Sequence, residues 1–164
     1  MASANKLEIK QLVQVSLVVK DLQKAMEHFW GIFGIGPWMI DTVRLDGTVH
    51  GKRELYSMKV ATARVGNIEL ELIQPLTGPS IYKEFLEERG EGLHHLACEV
   101  GDYDQAVAAL KKRGIGILMS GSTELYTFAY MDTEKYLGSI IEIYKPPRGT
   151  FDMPAPEATY PPSA

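Results

Sequence analysis

Residues 95–116 read HLACEVGDYDQAVAALKKRGIG, and residues 14–36 read QVSLVVKDLQKAMEHFWGIFGIG. Laid together, Gln14 faces His95, Val19 faces Val100, Asp21 faces Asp102 and Ala25 faces Ala106. After a single gap, the GIG of residues 34–36 faces the GIG of residues 114–116. The ends of the two halves agree as well. GNIELELIQP (66–75) parallels GSIIEIYKP (138–146), with Glu71 facing Glu142. A self-similarity of this length governs the reading of the fold before any single motif does.

Each half reads alike. A short β-branched strand comes first, over 12–19 or 94–100. Asp21 or Asp102 then supplies a side-chain oxygen to start a helix, and Gly34 or Gly114 can end it in the left-handed region. Three more strands complete each half. The pattern places them over 38–45, 55–65 and 68–73, and over 117–120, 126–132 and 139–144. The chain is therefore expected to be α+β, with two βαβββ modules at 9–76 and 92–147. Between them, 77–91 is the linking segment, where SIYKEFLEERGEG (80–92) reads as a short helix ending at Gly90. The proline-rich tail, 148–164, is expected to be extended.

Composition narrows the function classes. The chain has 164 residues, is 45% hydrophobic, and carries a net charge of −4. That balance gives no electrostatic footprint for nucleic acid. No apolar run approaches membrane-spanning length, and the first residues lack the apolar core of a signal peptide. Cys98 is the single cysteine, so no internal disulfide can form. A cytoplasmic location is expected.

Strand alternation sorts the polar residues. His94, Leu96, Cys98 and Val100 share one face, and that face is expected under a helix, with His94 as a half-buried packing residue. His95 takes the other face with Ala97 and Glu99, and its repeat partner is Gln14. His95 is thus the candidate for chemistry. Glu71 and Glu142 each sit inside an otherwise apolar final strand, which is costly for a carboxylate buried without a partner. If the halves pack about a pseudo-twofold axis, Gln14, Glu71, His95 and Glu142 converge. One imidazole and three oxygen donors suit a divalent metal with water completing the shell. The alternative is four unrelated residues on an exposed sheet face.

The repeated βαβββ plan, GLHHLACEV, IELELIQP and SIIEIYKP resemble the vicinal oxygen chelate superfamily, which includes glyoxalases, bleomycin-resistance proteins and dioxygenases. The likeness spans about residues 9–147 and is nearest the methylmalonyl-CoA epimerase-like members. It implies an open eight-stranded barrel-like sheet around a metal-centred cavity. It implies metal ligands at Gln14, Glu71, His95 and Glu142, holding Zn, Co, Ni or Mn, and a homodimer. The implied activity is that of a racemase or epimerase. It would invert a stereocentre α to a carbonyl through an enolate, on a thioester such as methylmalonyl-CoA or a ketone such as an isoflavanone. Epimerases usually carry histidine where this chain has Gln14; the Gln, Glu, His, Glu set resembles zinc-type glyoxalase I instead.

Two acid/base groups on opposite sides of the stereocentre are required. Glu142 is one candidate, as ligand and base. In the family an acid/base carboxylate often lies in the region of DTVRLDGTVHGKREL (41–55), falling near Glu54 here. The other reading of that segment is a solvated hairpin loop turning at Asp46-Gly47, with His50 at the surface. Trp30, Phe33, Trp38, Met39 and Met58 are expected to be mostly core, with Trp38, Met58 and Tyr144 lining the substrate pocket. Lys52, Arg53 and Arg148 could hold the phosphates of a coenzyme A ester. Two other readings stay open: a glyoxalase I-type lyase, and a metal-free protein that sequesters a small molecule.

Overall fold

The computed structural model describes residues 7–123, 126–145 and 154–162. Arg148 and much of the proline-rich tail lie outside the described residues.

The first half runs β1 (Ile9–Val18), α1 (Leu22–Phe33), β2 (Trp38–Val49), β3 (Lys52–Val65) and β4 (Ile68–Thr77). The linking helix α2 (Ile81–Arg89) follows. The second half runs β5 (Gly92–Val100), α3 (Tyr103–Lys112), β6 (Ile117–Ser122), β7 (Thr127–Met131), a one-turn helix α4 (Glu134–Leu137) and β8 (Ile140–Lys145). In the tail, β9 (Ala158–Tyr160) pairs with residues 38–40 of β2.

Local chemistry sets the helix ends. The Asp21 side chain accepts from the Lys24 amide at 3.1 Å and that of Asp102 from the Gln105 amide at 2.9 Å, so orphan N–H groups are satisfied in both halves. Ser80 does the same for α2, which ends at Gly90. The helix α1 ends at Gly34 with φ 66°. Its apolar side buries Leu22 and Met26, worth about 1.5–3 kcal/mol each.

The sheet order is β3-β4-β1-β5-β8-β7-β6-β2-β9, and β2 also pairs with β3, so the first eight strands in this order close on themselves. The halves meet through antiparallel β1–β5 pairing. Within each half the first and last strands run parallel, and their registers superpose under the sequence repeat. Gln14 pairs with Glu69 and Ser16 with Glu71; correspondingly, His95 pairs with Ile140 and Ala97 with Glu142. Each half has its strands and first helix in the order βαβββ, with the one-turn α4 added between β7 and β8 of the second.

The barrel is closed rather than open, and the reason lies in residues 41–55. These form no loop. The strands β2 and β3 run through them as one hairpin turning at His50-Gly51, not at Asp46-Gly47. His50 has φ 47° and Gly51 φ 79°, the left-handed pair that suits a two-residue hairpin turn. The extra length brings Thr48 and Val49 against Ser120 and Met119 of β6, and the His50 amide donates to the Leu118 carbonyl at 2.8 Å.

Three apolar clusters result. One fills the barrel and includes Val18, Leu45, Tyr56, Met58, Ile73, Tyr130 and Ile140, with Ile81 and Tyr82 of α2. A second lies outside, beneath α1, around Met26, Trp38 and Leu72. A third lies beneath α3, around Val100, Ala129 and Ile143. Among the described residues, no helix is long and apolar enough to cross a membrane.

Candidate active site

His95 is fully buried inside the barrel, where Ser16 of β1 lies opposite it in the β1–β5 register. Its Nε2 lies 3.1 Å from Glu142 Oε2 and 3.7 Å from Glu71 Oε2. The structure therefore brings three of the four expected ligands together, one from each of β4, β5 and β8. Gln14 sits on the same inward face, but its Nε2 donates to Glu69 Oε1 at 2.7 Å. The repeat explains the difference. Where half one has Glu69, half two has Ile140, which offers His95 no acceptor on its own ladder.

The two carboxylates are held in unusual states. Burial pushes Glu71 up to about 8, the charge of Glu142 adds to the rise, and the nearby Ser16 hydroxyl pulls the other way. Burial pushes Glu142 up to about 8 as well, and the nearby Tyr130 hydroxyl pulls the other way. Burial lowers His95 to about 3, so its imidazole is neutral at ordinary pH. Taking a charge out of water without a partner favours the neutral form of both residue types.

His94 is not under α3 with Val100. It packs against α2, with its ring 5.2 Å from Tyr82 and 5.1 Å from Phe85, and it is fully rather than half buried. Its Nδ1 lies 2.9 Å from Nδ1 of His95. On the opposite side, Tyr130 is the β7 partner of Glu142, and its hydroxyl lies 2.6 Å from that of Tyr82. Sequence reasoning missed Tyr82 and Tyr130. The available signal for Tyr130 was its place in a strand hairpinned to that of Glu142.

Among the described residues, no three or more His, Cys, Asp and Glu side chains form a ready metal cluster. The donor set nevertheless fits a divalent ion on two counts. Nε2 of His95 is buried without a hydrogen-bond partner, although it lies near two carboxylates. Two donors each about 2.1 Å from one ion stand roughly 3.0–3.4 Å apart, close to the 3.1 and 3.7 Å found here.

The remaining candidates divide. Met58 lies inside the barrel, and Tyr144 packs against the same cluster. Trp38 does not line this space: it is fully buried beneath α1, on the outside of the barrel. Trp30, Phe33 and Met39 are exposed rather than core. Glu54 lies in β3, in step with Tyr56 and Met58, and is half-buried. His50 is at the surface, 2.8 Å from Glu84. Arg53 is held by Asp46, while Lys52 stands exposed at the hairpin tip. The open groove between the hairpin and β6–β7, lined by Asp46, Thr48, Arg53 and Ser120, includes none of the four expected ligands.

The family model for the glyoxalase/bleomycin resistance protein/dioxygenase superfamily matches residues 13–130. The uncharacterized protein YqjC of Bacillus subtilis is 26% identical over 110 residues, covering 67% of this chain and 71% of that protein. Human mitochondrial methylmalonyl-CoA epimerase is 32% identical over 106 residues, covering 64% of this chain and 54% of that enzyme. The match thus spans about half the length of the human enzyme. The crystal structure of methylmalonyl-CoA epimerase from Mycobacterium tuberculosis superposes with a TM-score of 0.61 at 22% identity, over 88% of this chain and 95% of that one. That likeness is one of fold.

Proposed function

The chain belongs to the glyoxalase/bleomycin resistance protein/dioxygenase superfamily, and from that premise we propose that it is a metal-dependent racemase or epimerase acting α to a carbonyl. The observation that carries this is the buried imidazole of His95 flanked by Glu71 and Glu142. His95 through Nε2, with those two carboxylates, would hold the cation, and Gln14 would join through its amide oxygen. A bound divalent cation supplies Lewis acidity for charge developing on the substrate's carbonyl oxygen.

The chain's own residues supply the rest. An α-proton is weakly acidic, so its removal needs a base of raised proton affinity in a site shielded from water. Glu142, buried inside the barrel, is that base. Inversion needs a second proton donor on the opposite side of the enolate. Glu54 is our candidate, as its strand position faces the same way as Tyr56 and Met58. Tyr130, the β7 register partner of Glu142, would hold its carboxyl in place. Aromatic and methionine side chains, Tyr56, Met58 and Tyr144, exclude water around the reacting carbon.

The substrate is a thioester such as methylmalonyl-CoA or a ketone such as an isoflavanone. Lys52 at the hairpin tip would meet the phosphates of a coenzyme A ester, whereas Arg53 is committed to Asp46. A second copy of the chain would complete a homodimer, covering exposed apolar side chains such as Ile32 and Phe33.

Elemental mass spectrometry of the purified wild type and Glu142→Ala tests the reading. About one divalent ion per chain, lost in the variant, is expected of a structural-strength site. Exchange of the α-proton in deuterated water, on a thioester and a ketone, should depend on that ion. No metal in either protein after incubation with Zn, Co, Ni and Mn salts would overturn it.

A further inference from the structure

Two imidazoles whose Nδ1 atoms stand 2.9 Å apart must share one proton between them. Both rings are buried, and burial favours their neutral forms, so each carries one further decision: which nitrogen is bare. Only two arrangements satisfy the contact. In the first, His95 donates from Nδ1 and its Nε2 is a lone pair. In the second, His94 donates, and His95 carries its proton on Nε2.

The surroundings distinguish them. With a proton on His95 Nε2, a carboxylate oxygen at 3.1 Å should accept a well-aimed hydrogen bond, yet this nitrogen has no hydrogen-bond partner. The second arrangement would also leave His94 Nε2 as a bare acceptor beside Tyr82 and Phe85, with no hydrogen-bond partner among the described residues. In the first arrangement His94 keeps its proton on Nε2. The Ile81 carbonyl acts on this ring in the sense that holds a proton there, although Nε2 itself does not reach hydrogen-bond geometry. A histidine that binds metal through one nitrogen commonly donates from the other, and that partner sets its tautomer and its orientation.

We propose that His94 is a positioning residue: by accepting the Nδ1 proton of His95, it presents a bare Nε2 to the space between Glu71 and Glu142. The inference rests on the reading of His95 as the ligand of that site. It adds a reason for the paired histidines. One ring faces the chemistry, and the other locks it from behind. The packing against α2 then has a second effect besides burial. Tyr82 and Phe85 hold the His94 ring edge-on or tilted, so it cannot rotate out of line with His95.

The test uses three chains, wild type, His94→Phe and His94→Asn, each stripped of metal. Phenylalanine keeps a ring in the aromatic packing but removes the acceptor. Asparagine places an amide oxygen near the position of Nδ1 and restores it. Nitrogen-15 NMR of labelled histidine reads the tautomer of His95 directly, without metal or activity. The expected result is a protonated Nδ1 in wild type, a mixed or inverted tautomer in His94→Phe, and recovery in His94→Asn. Titration with Zn²⁺ alone should show affinity falling about 10–100-fold in the phenylalanine variant and largely restored in the asparagine variant. A wild-type His95 protonated on Nε2 overturns the proposal, whether or not Zn²⁺ binds. An unchanged tautomer in a folded His94→Phe also overturns it. A wild type with the expected tautomer that binds no Zn²⁺ leaves His94 as the residue that sets the tautomer, and refutes instead the metal-dependent function.

Discussion

Removing one tyrosine hydroxyl behind Glu142 should cost more than removing two. The hydroxyls of Tyr82 and Tyr130 lie 2.6 Å apart, and Tyr130 is the β7 register partner of Glu142. If Tyr130 spends its single proton on Glu142, the short contact must be donated by Tyr82. Tyr82→Phe takes away the end of this chain and leaves Tyr130 still bonded to Glu142. Its cost is one ordinary buried hydrogen bond, about 1 kcal/mol. Tyr130→Phe takes away the middle. It leaves the Tyr82 hydroxyl buried with no acceptor and Glu142 short of a donor, so the cost rises to about 2–3 kcal/mol. The double variant removes the stranded hydroxyl as well. It should be no less stable than Tyr130→Phe alone, about 1–2 kcal/mol below wild type, giving a coupling of about 1–3 kcal/mol between the two changes. Urea unfolding of the four metal-free proteins, followed by circular dichroism at one pH, measures all the quantities needed. Additive costs, or a Tyr82→Phe change larger than Tyr130→Phe, would refute the directed chain Tyr82 to Tyr130 to Glu142.

The turn into α2 offers a cleaner steric test. A Cβ at Gly78 would stand 2.0 Å from the Leu55 carbonyl oxygen and 2.8 Å from Tyr56 Cα, at φ 79°, whereas Gly114 at φ 78° has open space. Gly114→Ala should cost about 1–2 kcal/mol, the backbone penalty alone, and Gly78→Ala at least about 2 kcal/mol more, by thermal or urea unfolding; equal costs would contradict the close approach. A pH effect is expected at the start of α3. The Gln105 amide bonded to Asp102 holds this carboxyl below its usual range, so its contribution is complete above the unfolded value near 3.8 and is lost as pH falls through the lower folded value. Asp102→Asn keeps a cap without the titration, so its stability deficit in unfolding midpoints should shrink between pH 6 and pH 3; a deficit that stays constant would count against the charged cap.

What could be read before the structure was whatever depends on period and repetition. Alternation by two put Gln14, Glu71, His95 and Glu142 on inward faces, and the repeat implied the matching parallel registers of β1–β4 and β5–β8. Less legible was anything decided by a partner distant in sequence. Asp46-Gly47 is a strong local turn signal, yet the chain continues as strand past it. Pairing of Thr48 and Val49 with β6 satisfies backbone groups that an earlier turn would leave at an open edge. Trp38 follows Gly36-Pro37 as a pocket residue would, but its position at the start of β2 presents it to α1, where Phe29 tilts against its ring at 5.7 Å. His94 was assigned to the helix-covered face by parity. A register shift in β1–β5 beside Ser16–His95 breaks that parity at the strand's first residues, and α2 covers them instead.

The same register shared by two halves makes their few differences informative. Were the halves identical here, each first-strand polar residue would have the same neighbours, and neither would be compelled to look across the barrel. Glu69 breaks this equality in half one by accepting the Gln14 amide. In half two Ile140 stands at the matching place, so His95 has no polar register partner on β8 and faces Glu142, two residues further along that strand, and Glu71 of β4. A buried imidazole without a ladder partner is expensive unless something else satisfies both nitrogens. The adjacent His94, seated against α2, answers for Nδ1. Among the described residues, Nε2 has no hydrogen-bond partner. A fold that satisfies one nitrogen of a buried histidine from the same strand, and leaves the other beside two carboxylates, has left a position that a cation would complete.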